Sequence, residues 1–91
     1  MHTPKPRVSA EDMAAYLRKQ ITAAERMLAD RDQCIERQRA RYTEAYEAGD
    51  EREKARWQEN LSASALQRAA CYERLVTWRT ALQHLTGELW S

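Results

Sequence analysis

Apolar residues recur along this chain with alternating steps of four and three, first over Leu17, Ile21, Ala24, Leu28, Ile35, Tyr42 and Ala45, then over Trp57, Leu61, Cys71, Leu75, Trp78, Leu82 and Leu85. That spacing keeps one stripe on one side of an α-helix, and sustained over several turns it is a coiled-coil seam. Arg31 and Gln38 fill two steps of the first seam, and Ser64 and Arg68 two steps of the second. Between the seams lies Ala48-Gly49-Asp50. Glycine there can take the left-handed conformation that closes a helix, and Asp50 can cap the next one, with Glu53 three residues on completing a capping box.

The remaining ends are marked as well. Ser9 stands before Glu11 and Asp12, an N-cap followed by acidic residues that the helix dipole favours, and Val8 and Met13 have the spacing of a hydrophobic staple. Gly87 is the natural stop of the second helix. The pattern therefore predicts an all-α chain with a helix over 9–48, a turn at 48–50 and a helix over 51–86. A flexible tail over 1–8, with Pro4 and Pro6, and a short C-terminal tail flank one domain over 9–91. At ~1.5 Å per residue each helix spans roughly 55–60 Å. Folding at Gly49 brings together positions whose numbers sum to about 99, so Leu17 meets Leu82, Ile21 meets Trp78 and Tyr42 meets Trp57 in an antiparallel coiled-coil-like hairpin. A third helix would need a break near Asn60-Leu-Ser-Ala-Ser64, where Asn and Ser can cap.

The apolar arc is too wide for one partner helix. Leu61, Ala65, Ala69, Tyr72 and Val76 lie to one side of the second seam, and Trp78, Leu82 and Leu85 to the other. Met13, Tyr16, Met27 and Cys34 flank the first. Two hairpins dimerising into a four-helix bundle, or a foreign protein laid on these faces, would cover the excess.

Composition narrows the partners. The 91 residues carry 15 basic and 14 acidic side chains, so no net field draws nucleic acid or an anionic membrane. The balance is also local, with seven basic and eight acidic residues between Ser9 and Ala48. No apolar run nears the ~18 residues needed to cross a bilayer, and the N-terminal residues lack the apolar core of a signal peptide. Isolated Cys34 and Cys71 fit a reducing cytoplasm. The arginine- and alanine-rich, lysine-poor make-up points towards a bacterial or phage genome.

Three groups of residues are candidate sites. Arg31 and Arg68 fall opposite each other in the middle of the seams, where two buried arginines need carboxylates from Asp30, Asp32 or Glu36. The plainer role is a polar layer that sets register; the functional one is a site for an acidic partner. At the hairpin tip Arg37, Arg41, Arg52 and Arg56 interleave with Tyr46 and Trp57, a mixture that nucleic-acid contact uses, although Glu44, Glu47, Glu51 and Glu53 cancel most of the charge. Ala69, Tyr72, Val76 and Trp90 are the candidate partner or oligomer interface, Trp90 because it lies beyond Gly87. No catalytic, cofactor or metal motif occurs, and His2 and His84 have no ligand-spaced neighbours. The sequence thus points to a non-enzymatic protein-interaction module, an adaptor, small chaperone or inhibitor such as a phage-encoded antagonist of a host protein. A self-assembling structural subunit and a nucleic-acid-associated protein are the alternatives, and neither cofactor nor membrane is expected.

Overall fold

The computed structural model describes residues 9–87. It holds two helices, α1 (Ala10–Ala48) and α2 (Glu51–Thr86), packed against each other as an antiparallel hairpin, with no strand among the described residues. The expected tails, the Val8 staple and Trp90 lie outside the described residues.

Each helix end is made by the residues that mark it in the sequence. Ser9 has extended backbone (φ −69°, ψ 157°), and its hydroxyl accepts the N–H of Asp12 at 3.1 Å. Gly49 sits at φ 69°; its N–H donates to Tyr46 O at 3.2 Å and the Asp50 N–H to Ala45 O at 3.0 Å. Those paired bonds form a Schellman closure, which satisfies carbonyls that the last turn leaves open. Asp50 then accepts the N–H of Glu53 at 3.1 Å and starts α2. The reciprocal half of the expected box does not form. The Asp50 N–H is already committed to Ala45, so the Glu53 carboxylate instead accepts from Trp57 Nε1 at 3.2 Å and Arg56 at 3.4 Å. Gly87, at φ 73°, ends α2 with its N–H on Gln83 O.

α2 runs unbroken through Asn60–Ser64, so the three-helix alternative fails. Ser62 bonds back to the Gln58 carbonyl inside the helix, a pairing that relieves a mid-helix hydroxyl without ending the helix.

Contacts between the helices follow the expected register. Arg68 meets Asp32, and the Lys54 ammonium lies 5.2 Å from the Tyr46 ring centroid, pairs that straddle the turn evenly. The packing is uneven along the length. Ala14, Leu17, Ile21 and Ala24 bury against Leu75 and Leu82, with Leu28, Trp78 and Ala81 leaning on that cluster. This core sits at the open end, away from the turn. In the middle, Arg31, Ile35, Gln38, Leu61 and Arg68 are only half-buried around a buried Ser64, and nearer the tip Ala45 is buried. Leu82, expected opposite Leu17, is fully buried, because the supercoiled seam keeps that position facing α1.

Candidate functional site

The central polar layer differs from the expected pair of buried arginines. Arg68 Nε donates to Asp32 Oδ1 at 2.5 Å, and both side chains stay partly open to solvent, at 42% and 50% exposure. Arg68 occupies a seam position, but its long stem carries the guanidinium out to the hairpin's rim, where the Asp32 carboxylate waits one step beyond Arg31. The hydrogen bond that Arg68 donates to Asp32, and then the charge of Asp32, raise the Arg68 pKa above its ordinary value. Arg31 is half-buried on α1. Neither arginine is enclosed, so this layer lacks the desolvated charge that would make it a strong anion trap. Below it, Gln38 Oε1 is buried without a hydrogen-bond partner.

At the tip the basic residues are held within their own helices. Arg39 pairs with Glu36, Arg41 with Glu44, Lys54 with Glu51 and Arg56 with Glu53, all at 3.4–3.5 Å and three residues apart. Arg37 turns to the Gln33 carbonyl, and Arg52 is exposed. The aromatics are spoken for too. Tyr42 and Tyr46 stack at 6.5 Å, and the Arg56 guanidinium lies 5.4 Å from the Trp57 ring centre. Tyr46 nevertheless remains 64% exposed. A nucleic-acid groove needs a continuous positive track with free aromatic faces, and this tip is a lattice of short-range ion pairs.

The flanks of the seam are the least satisfied surface. Large hydrophobic side chains stay exposed on both sides of the hairpin. Tyr72 and Val76 are 49% and 41% exposed, in line with exposed Ala65 and Ala69 along one flank of α2. The other side, at the open end, carries Met13, Tyr16, Met27 and Leu85. There the Tyr16 ring meets the half-buried Trp78 edge-on, 6.3 Å between centroids. Aligned apolar side chains at this density mark contact surfaces more often than scattered ones do. Leu66 is also exposed, on the side of α2 turned away from α1, a position that the seam pattern does not single out.

Ala69, Tyr72 and Val76 therefore form one surface together, Arg31 and Arg68 lie in the central layer beside it, and the tip residues are a separate group. A groove of about 620 Å³, lined by Ile35, Arg39, Leu61, Ser62, Ala65 and Arg68, joins the layer to the stripe. Among the described residues no three His, Cys, Asp or Glu side chains are placed to hold a metal, and no helix is long and apolar enough to cross a membrane. Comparison with known protein families, with curated proteins and with solved structures finds no match to this chain.

Proposed function

We propose that this chain is a non-enzymatic protein-interaction module that works by laying helix faces on a protein partner, with a second copy of itself the favoured partner. One observation carries the reading: large apolar side chains are exposed in rows on both flanks of a hairpin whose own core is confined to its open end. Two helices bury one stripe each, and a third or fourth helix is what covers residues such as Tyr72 and Val76. An adaptor, small chaperone or inhibitor role fits a surface of this kind. The free thiols of Cys34 and Cys71 fit action in a reducing cytoplasm.

The test is recovery of a stoichiometric partner, by affinity capture from a cell lysate together with solution mass. Val76→Glu and Met13→Glu each place a charge on one flank. At least one is expected to abolish the bound chain, be it a second copy or a foreign protein, while leaving the circular dichroism spectrum unchanged. A chain that stays at 10.7 kDa and recovers nothing in any form would end this reading.

A further inference from the structure

We propose that the α2 stripe Ala65, Ala69, Tyr72 and Val76 pairs antiparallel with the same stripe of a second copy, each alanine opposite a large side chain. This rests on the interaction reading above and names the occupant of one face.

The spacing of the stripe, four, three, four, is that of a seam in its own right, and it lies roughly 100° round α2 from the side that meets α1. A four-helix arrangement needs its second contact near that angle. A two-fold axis passing between residues 70 and 71 sets Ala65 against the copy's Val76 and Ala69 against the copy's Tyr72. Four layers in a row then match small with large, the interdigitation that close packing requires. A parallel pairing would instead stack Tyr72 on Tyr72 and leave Ala69 facing Ala69, one layer overfilled and one void.

The flanking residues fix the register. Outward from the apolar layers come Ser62 opposite Arg79 and Gln58 opposite Gln83, so a slip of one heptad lays Tyr72 and Val76 on Ser62 and Gln58 in one direction, and in the other stacks Tyr72 on Val76 and lays Ala69 and Ala65 on Arg79 and Gln83. The charges also fit. On this side α1 presents Glu25 and Glu36 and α2 presents Arg68 and Arg79. With the hairpin register set by Asp32–Arg68, the two-fold brings Arg68 level with the copy's Glu25, and Arg79 level with its Glu36, within ~3 Å along the axis at 1.5 Å per residue. Arginines of one copy thus lie at the same height along the axis as carboxylates of the other. About 48 Å of α2 overlaps its copy, of which the apolar layers cover the central third, so the dimer is of modest strength.

A size swap tests the layers directly. Ala69→Tyr alone opposes two tyrosines and Tyr72→Ala alone opposes two alanines, whereas the double swap restores one of each. Both positions of change are on the exposed flank, so the hairpin itself should fold in all three variants, checked by circular dichroism. The expected result is a dimer of twice 10.7 kDa by light scattering, a dissociation constant at least about tenfold weaker in each single variant, and recovery in the swap. In a Cys34→Ser, Cys71→Ser background, Ala65→Cys with Val76→Cys should oxidise to a covalent dimer, and Ala65→Cys alone should not. A dimer that survives both single variants would place the contact on another face and overturn this pairing. So would self-linking of Ala65→Cys, which requires parallel helices. A wild-type chain that stays monomeric yet captures a foreign protein would overturn it too, and leave the broader interaction reading standing.

Discussion

Gly49 and Arg68 show how differently single residues act in this fold. At Gly49 the backbone lies at φ 69° with nothing within 4 Å of where a Cβ would stand, so a side chain there meets no obstacle beyond the conformation itself. Gly49→Ala should destabilise the hairpin by about 1 kcal/mol, and Gly49→Asn by less, because asparagine tolerates that region better. Urea titration followed at 222 nm reads the difference. Arg68 is the contrary case, a charge on the seam whose head has escaped to the rim. Arg68→Leu removes an open ion pair and puts an apolar side chain beside Ile35 and Leu61, so the thermal midpoint should hold or rise. The double variant Arg31→Leu, Arg68→Leu should raise it further, and outright unfolding of that variant would contradict the account of a half-open layer. The sign of the Arg68 titration is plain. Its folded pKa is raised, so its contribution is fully present below the unfolded value and lost only as pH climbs through the folded one, far into the alkaline range. Arg68 deprotonation therefore adds no pH-dependence to stability near neutrality.

Within the helices, stability is concentrated where the seam is richest. α1 supplies Ala14, Leu17, Ile21 and Ala24 and α2 supplies Leu75 and Leu82, and beyond these the seam turns polar on both helices at nearly the same level. Leu82 is fully buried, and Leu82→Ala should cost about 2–5 kcal/mol through lost burial and the cavity left behind. The neighbouring Leu85→Ala, at an exposed position, should cost a fraction of that, and chemical denaturation of the pair separates them. The same unevenness predicts the order of hydrogen exchange. Amides around 17–24 and 75–82 should exchange slowest, while those around 31–38 and 61–68 should exchange faster, since local opening there exposes little apolar surface. Uniform protection along both helices would contradict a core confined to the open end.

For the molecule as a whole, helices of 39 and 36 residues make the full chain largely helical in solution, and circular dichroism below about half helix would be incompatible with the hairpin. A hairpin this slender has one small core and two apolar flanks, a combination that a monomer leaves in water at a cost of about 25 cal/mol per Å². Closing the α2 flank against a copy would double the number of packed helices, so thermal stability should rise with protein concentration. A midpoint independent of concentration over a hundredfold range would argue that the flanks wait for another protein.

The sequence by itself determined the secondary structure, its limits and the register of the hairpin. Those features are local or periodic. Ser9, Gly49, Asp50 and Gly87 act on backbone groups within a few residues of themselves, and a seam of alternating threes and fours can face only one way. The tertiary structure decided what two-helix geometry makes of equivalent-looking positions. It buried Leu82 and left Leu85 open, drew the core to one end, and spent the Asp50 N–H on α1 so that Glu53 turned to Trp57. It also chose Asp32 from three nearby carboxylates for Arg68 and edged Tyr16 against Trp78, outcomes that depend on which long side chains can reach across a particular interhelical gap. Periodicity says which face of a helix is apolar; only the packed pair determines how much of that face water still touches.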